Sequence, residues 1–112
     1  MLNALSGNLE SYLDLLSVRQ KLISSNVANA DTPGYKTQDV DFQTEFQSMM
    51  QGGQAHATEV AGLKVNNDGN NVSLDREARL LSENALRFSA VSQLLRGQIR
   101  NMKSAIDEGK NG

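Results

Sequence analysis

Apolar residues recur every three or four positions at both ends of the chain, whereas the middle lacks such a period. Near the N-terminus the stripe lies within residues 1–32 and predicts one amphipathic helix. Pro33 disfavours helical geometry at Thr32, and Gly34 follows at once, so we expect the helix to stop there. The positions that define the stripe are Leu2, Leu5, Leu9, Tyr12, Leu16, Ile23 and Ala30.

Residues 73–108 carry the most regular pattern, because the stripe positions alternate by four and three without a slip. This pattern predicts a second long helix with a coiled-coil seam, and Ser73 is a favoured N-cap residue in front of it. The predicted seam consists of Leu74, Ala78, Leu81, Ala85, Phe88, Ser92, Leu95, Ile99, Met102 and Ile106. So long a helix is not stable alone, so we expect it to pack on the N-terminal helix and on other chains.

Residues 33–72 have no sustained period and predict an irregular middle. Its first part is an arm with a short helix, and the adjacent glycines of residues 51–62 indicate a loop. An Asp-Gly turn between Val65 and Val72 predicts a small hairpin. The chain is therefore predicted to be all-α, with two long terminal helices that pair as a coiled coil and form a single assembly domain.

The composition of the chain argues against several classes of function. The chain has 112 residues, a formal net charge of −2 and no Cys, so it has no thiol nucleophile, disulfide or cysteine-ligated zinc. Polar residues interrupt the apolar positions at the start, and no basic segment precedes them. We therefore expect no cleaved signal peptide and no direct membrane insertion. The negative charge argues against nucleic-acid binding.

The residues that could carry chemistry do not form a recognisable site. His56 lies in the Gly-rich loop without nearby metal ligands, so we expect a solvated side chain. Asp39 and Asp41 would share a face of an extended strand, but no nucleophile or pocket accompanies them. The Asp-Gly turn loosely resembles a calcium loop, yet Lys64 occupies the first ligand position and Asp75 replaces the longer Glu. We expect no enzyme activity, cofactor or metal site.

Six basic residues of the predicted C-terminal helix fall at outward positions of the heptad. We interpret them as a solvated face, with contacts to acidic neighbouring subunits as the alternative. No aromatic residues interleave with them, as nucleic-acid binding would require. These residues are Arg76, Arg79, Arg87, Arg96, Arg100 and Lys103.

The end of the first helix carries amide side chains three residues apart, followed by a forced turn. The amides of Asn26 and Asn29 can bond to a neighbour or satisfy helix-end carbonyls. Pro33 and Gly34 then fix the direction in which the chain leaves the helix.

Taken as a string, residues 26–36 resemble the N-terminal signature of the bacterial flagellar rod and hook proteins. The matching positions are Asn26, Ala28, Asn29, Thr32, Pro33, Gly34 and Tyr35. The following Asp39-Val40-Asp41-Phe42 is most similar to subunits of the proximal rod, and residues 84–88 resemble the family's C-terminal helix. Residues 49–67 look short beside the family's middle region.

This resemblance implies a structural subunit of the proximal rod, the shaft that transmits torque in the flagellar basal body. It implies that the terminal helices pack with those of neighbours, and that the chain reaches the periplasmic rod through the flagellar type III export apparatus. The implied partners are other copies, other rod subunits, the ring-to-rod adaptor and that apparatus. The alternatives are a soluble helical adaptor or export chaperone and, more remotely, a small hydrolase.

Overall fold

A computed structural model describes residues 4–111 and consists mainly of three helices. In chain order these residues form α1 (Ala4–Ala28), β1 (Gln38–Asp39), α2 (Phe42–Met50), β2 (Thr58–Glu59) and α3 (Leu74–Asn111). The molecule is elongated, with extents of 71 × 25 × 18 Å. The prediction of an all-α chain with two long terminal helices is confirmed.

Helices α1 and α3 pack against each other in opposite directions. Asn26 near the end of α1 donates to Glu77 near the start of α3, at 2.7 Å. Toward the start of α1, Arg87 of α3 donates to the Tyr12 hydroxyl at 3.3 Å. Both helices rise about 1.5 Å per residue, so Ala4 lies roughly level with Leu95. The last turns of α3, residues 99–111, therefore extend past the described part of α1, and we refer to them as the overhang.

Both long helices end at different residues from those predicted. Helix α1 ends at Ala28, before the predicted stop at Thr32, because the backbone then tightens: Asn29 N–H bonds to Ser25 O and Asn26 O, and Thr32 N–H bonds to Asn29 O. Helix α3 continues through Gly109 to Asn111, beyond the predicted limit at residue 108. Residues 1–3 of the predicted N-terminal helix lie outside the described residues.

The predicted hairpin around the Asp-Gly turn is wrong, although the turn is present. Gly69 has φ +87°, and Asn66 N–H bonds to Asn70 O at 2.8 Å. The flanking residues form no strands, because backbone groups beside the turn pair with the first arm instead: Gly34 N–H bonds to Asp68 O. The strand pair is elsewhere, with Gln38–Asp39 antiparallel to Thr58–Glu59 inside the predicted loop.

The interior contains more polar than apolar residues among those described. The buried apolar side chains are Leu15, Leu16, Ile23, Val40 and Leu80. The buried polar ones are Ser6, Asn26, Thr37, Asp39, Glu45, Asn70, Asn71, Glu77 and Asn84. Tyr12 adds an aromatic contact with α2, its ring centroid lying 4.9 Å from Phe42 and 5.4 Å from Phe46. No helix within residues 4–111 is long and apolar enough to cross a membrane.

The predicted seam of α3 is not the face that packs on α1. The buried residues of α3 are Glu77, Leu80 and Asn84, one position away from the predicted seam and so rotated by about 100° around the helix. The reason is polar pairing: Glu77 and Asn84 have hydrogen-bond partners on α1 and fix the orientation. The exposed seam residues are Leu74, Ala78, Leu81, Ala85, Phe88, Ile99 and Ile106, while Ser92, Leu95 and Met102 are half-buried.

The predicted stripe of α1 is partly buried. Leu16 and Ile23 belong to the core, Leu9 and Tyr12 are half-buried, and Leu5 is exposed. Burial thus fades toward the start of the helix. The start of α1, where apolar side chains such as Leu5 stay exposed, lies at the same end of the molecule as the later turns of α3.

Candidate functional site: a polar junction and an exposed apolar seam

Asn26 is the centre of a group of hydrogen bonds that we term the polar junction, which joins α1, the arm after it and the start of α3. Its Nδ2 donates to Gln38 O at 2.8 Å and to Glu77 Oε1 at 2.7 Å. Its Oδ1 accepts from Gln38 N–H at 3.1 Å and from the Tyr35 hydroxyl at 3.0 Å. The single buried amide of Asn26 therefore satisfies both backbone groups of Gln38, as a neighbouring strand would otherwise do.

A charged cluster lies next to Asn26 and ties the same three segments together. Arg19 of α1 donates from Nε and Nη2 to the two carboxylate oxygens of Asp39, at 3.1 and 3.0 Å. Arg76 of α3 bridges Asp39 Oδ2 at 2.6 Å and Glu77 Oε2 at 2.7 Å. The Glu77 side chain is fully buried, so both of its oxygens are satisfied inside the protein.

These contacts shift two pKa values. Burial alone would raise the pKa of Asp39, but hydrogen bonds from Arg19, Val40 N–H and Arg76 outweigh it and lower that pKa. Burial acts in the opposite direction on Arg76, and its hydrogen bonds to Glu77 and Asp39 prevail and raise its pKa. Asp39 and Arg76 are therefore both ionised throughout the physiological pH range. The sequence-based assignment of Arg76 to an outward, solvated face is wrong, because Asp39 and Glu77 hold it inward.

A second set of bonds closes the turn after α1. Asn29 Nδ2 donates to Ser25 O at 2.9 Å and so caps its own helix, while Thr32 Oγ1 donates to Asn29 Oδ1 at 3.0 Å. The buried Asn70 side chain crosses from the second loop and donates to Asn29 O and Thr32 O. Of the two roles expected for the amides, Asn29 satisfies a helix-end carbonyl, whereas Asn26 bonds across to neighbouring segments of the same chain.

Two glycines meet where the loops touch. Gly34 and Gly69 have φ of +75° and +87°, a region that side chains with a Cβ rarely adopt. A Cβ on Gly69 would also lie 3.3 Å from the Cα of Gly34. Lys36 Nζ donates to Gly69 O across the same contact, and Asn71 Oδ1 accepts from Thr37 N–H at 2.7 Å.

The remaining signature residues lie around this junction with separate local roles. Ala28, Thr32 and Pro33 are exposed. Asp41 is the N-cap of α2, where its side chain accepts from Thr44 N–H, and Phe42 packs on Tyr12. Asp39 is buried and Asp41 is exposed, so the two carboxylates do not form a pair. The structure thus brings together Asn26, Tyr35 and Asp39 but not Asp41.

The exposed seam opens into a groove of about 380 Å³ between α1 and α3. Its walls are mostly apolar, and Asn84 lies among them. Asn84 Nδ2 donates to Leu16 O at 3.0 Å, whereas its buried Oδ1 accepts no hydrogen bond from the described residues. The lining residues are Leu16, Ser17, Gln20, Leu81, Asn84, Ala85, Phe88 and Ser89.

Other candidate residues stand apart from both features. His56 is exposed, as expected, and lies beside Glu45, which accepts from the His56 backbone N–H at 3.1 Å. Arg87 contacts the Tyr12 hydroxyl and lies over the Phe42 ring. The exposed basic residues of α3 are Arg79, Arg87, Arg96, Arg100 and Lys103. Within residues 4–111 no group of acidic and His side chains is arranged to hold a metal ion.

Sequence reasoning missed several members of the junction. Glu77, Arg19 and Asn70 interrupt apolar stripes or lie in a loop, so a search for apolar periodicity assigns them no role. A signal was nevertheless present, because a buried amide at Asn26 requires partners of both hydrogen-bonding types. Residues 66–71, four asparagines with one aspartate and one glycine, were the available source of side chains that bond to nearby backbone.

Comparison with known proteins agrees with this arrangement. Residues 1–36 match a family model described as flagella basal body rod protein. The flagellar basal body rod protein FlgB of Yersinia enterocolitica is 32% identical, over 97% of this chain and 100% of the relative. FlgB of Escherichia coli K12 is 31% identical over 89% and 91%, and FlgB of Bacillus subtilis 28% identical over 92% and 93%.

The alignment with the Yersinia protein spans 138 positions, more than the chain possesses, so that relative has residues that this chain lacks. The similarity still extends over both terminal helices and the junction between them. The chain therefore belongs to the FlgB family of flagellar basal body rod proteins.

Proposed function

We propose that this flagellar rod subunit occupies the proximal rod and transmits torque through its packed terminal helices. The observation that carries the proposal is the seam of α3, which keeps a regular apolar period yet remains largely exposed in the single chain. Exposed apolar stripes of this length are typical of surfaces that become buried in an assembly. The 32% sequence identity to the Yersinia protein, over the whole length of that relative, supports the same role.

The polar junction suits a subunit that bears load. Torque applied to α3 passes to α1 through Glu77 and Asn26, and to the arm through Arg76 and Asp39. Hydrogen bonds to charged groups are directional and stronger than neutral ones, so they resist sliding of one segment past another. The junction is therefore proposed to hold the subunit's shape while the seam holds neighbours.

The proposed partners are further copies, the other rod subunits, the adaptor that joins the ring to the rod, and the flagellar type III export apparatus. The chain is proposed to reach the periplasmic rod without a cleaved signal peptide. It is proposed to catalyse no reaction, because the acidic groups of the junction are engaged with Arg19, Arg76 and Asn26 rather than facing an open pocket.

The competing function is a soluble helical adaptor or export chaperone. Such proteins bind partners through an apolar face without polymerising. The exposed surface of α3 continues from Leu74 to Ile106, further than one bound helix of ordinary length would cover. The length of this surface favours the rod.

The location of a tagged chain tests the proposal. In a flagellated host that carries the tagged gene in place of its own, purified basal bodies should contain the tag in the proximal rod. A tag that is absent from basal bodies but present in cytoplasmic complexes would support the adaptor instead. A tagged flagellar chaperone serves as the control for carry-over during purification.

A further inference from the structure

Each of the two long helices contains a glycine in its interior, and the two glycines lie at nearly the same level of the molecule. Gly7 belongs to α1 and Gly97 to α3. The helices run in opposite directions, and the hydrogen bond from Asn84 to Leu16 O fixes their relative level. At 1.5 Å per residue, the two glycines are within about 8 Å of each other along the axis of the molecule. We term this level the glycine level.

Neither glycine is required by packing or by backbone geometry. A Cβ on either one would meet none of the described atoms within 4 Å, and neither has a positive φ, in contrast to Gly34 and Gly69. Glycine is nevertheless unfavourable inside a helix, because its backbone has the most freedom to lose. Gly97 therefore weakens α3 without improving its packing, and what it adds at this position is freedom of the backbone.

The apolar core of the chain lies entirely on one side of the glycine level. Tyr12 and its aromatic contacts with α2 are on that same side, toward the polar junction. On the other side, every residue from 103 to 110 is exposed. Packing therefore holds α3 more firmly before Gly97 than after it. The buried apolar side chains of the described residues, all on the junction side, are Leu15, Leu16, Ile23, Val40 and Leu80.

We propose that Gly97 is a joint in α3, at which the overhang changes direction relative to the polar junction while it remains helical. Gly7 gives the start of α1 the same freedom at the same level, so the two helices can bend together there. In the assembly, the joint lets the apolar seam of the overhang meet different kinds of rod subunit at different angles. This consequence rests on the proposed rod function, whereas the joint itself is a property of the single chain.

Residual dipolar couplings of the backbone N–H groups test the joint in the full chain in solution, because they report how strongly each segment of a molecule is aligned. In weakly aligned wild-type protein, we expect the couplings to lose magnitude in one step at Gly97, while Cα chemical shifts stay helical on both sides. Gly97→Ala should abolish the step, since alanine restricts the backbone and fits without collision. Gly109→Ala is the matched control, because Gly109 is also helical and has open space around it, and it should leave the step unchanged.

Three results would overturn the joint. One common alignment along the whole of α3 in the wild type would show a rigid helix. A gradual loss of couplings toward Asn111, unchanged by Gly97→Ala, would show fraying of the helix end. Non-helical chemical shifts throughout the overhang would show an unfolded segment, and a joint requires a helix on both sides.

Swimming of a flagellated host that carries each variant tests the use of the joint in assembly. We expect Gly97→Ala to reduce swimming and Gly109→Ala to leave it at the wild-type level. Normal swimming by a Gly97→Ala chain that has lost the step in its couplings would overturn this use of the joint. The rod function would then still stand, because it depends on the location of the tagged chain and not on this variant.

Discussion

Asn26 shows how a single side chain can organise the meeting of three segments. It is buried, and all four of its bonds go to groups of the chain itself, two of them on Gln38. The helical stripe places an amide here at a position where an apolar residue is expected. The sequence located this departure and the turn after it, but the identity of the partner Glu77, 51 residues away, depends on the tertiary fold.

Replacing Asn26 by Ala should destabilise the chain more than the same change at Asn29. Asn26→Ala removes the side-chain partner of the Gln38 backbone groups and of Glu77 Oε1, which costs about 1–3 kcal/mol for each group left unsatisfied. Asn29→Ala removes a cap at the helix end and costs about 1 kcal/mol. Urea unfolding followed by circular dichroism measures both. Equal losses would show that the buried amide has no special role.

Gly34 should be intolerant of any side chain because of its backbone conformation alone. Its φ is +75° and a Cβ there would meet nothing within 4 Å, so Gly34→Val costs about 1–3 kcal/mol through strain rather than collision. Gly53 is a poor control, since a Cβ there would lie 2.4 Å from Ser48 Oγ. Gly7→Val, in open space on α1, is the better one and should change the unfolding free energy by less than about 0.5 kcal/mol. Comparable destabilisation by both substitutions would contradict the assigned conformation.

The helices illustrate which features of an element its own sequence determines. The period of α3 predicted a long helix, and the structure has one. It did not predict that Leu80 would be buried and Leu81 exposed, because that choice depends on Glu77 and Asn84 reaching partners on α1. The strand pair was also beyond prediction, since two residues in a loop provide no alternating pattern.

The contacts that join α1, β1 and α3 should make the free energy of unfolding depend on pH in the acidic range. Asp39 has a lowered pKa in the folded chain, so the unfolded chain binds its proton at higher pH. The stabilisation is complete above about pH 5 and is lost as the pH falls below about 4. Asp39→Asn should remove this contribution, about 1.5–3 kcal/mol, and flatten the acid side of the stability curve. Unfolding measured from pH 3 to 7 checks it, with Asp41→Asn as the exposed control, and parallel curves for wild type and Asp39→Asn would refute it.

Amide exchange should divide α3 into two parts. The turns near Glu77 and Asn84 are held against α1, whereas residues 103–110 of the overhang are all exposed. We expect amides of residues 76–88 to be protected and those of residues 100–110 to exchange rapidly in dilute solution. Uniform protection along the helix would mean that the overhang is covered without an assembly partner.

For the function of the whole molecule, the arrangement of its exposed surfaces matters more than its core. Five buried apolar side chains among the described residues make a small core, and the longest apolar surface lies outside it. Family membership and the function in the rod were accessible from two short motifs in the right order. The placement of the groove was not, because it arises only when α1 and α3 are packed at their observed orientation.

Leu95→Glu should separate export from assembly. Leu95 lies in the seam between groove and overhang, and a carboxylate buried there in the rod costs several kcal/mol unless it is protonated or paired. On the export route proposed above, passage through a narrow channel requires an unfolded chain and no intact seam. We expect the variant to be exported from a flagellated host yet to build no rod, as judged by secretion assays and swimming.

Arg100→Ala is the control, since Arg100 is exposed and lies at an outward position of the heptad. This variant should be exported and should swim. Normal swimming by Leu95→Glu would show that the seam stays accessible to water in the rod.

The excess of polar over apolar groups in the interior also shapes the response of the chain to temperature. The heat capacity of unfolding grows with the apolar surface that becomes hydrated and falls with the polar surface. A fold whose buried residues include Asn26, Asn70, Asn71 and Glu77 therefore has a small heat-capacity increment. Its stability curve is correspondingly less curved, so we expect the free energy of unfolding to fall less steeply on either side of the temperature of maximum stability.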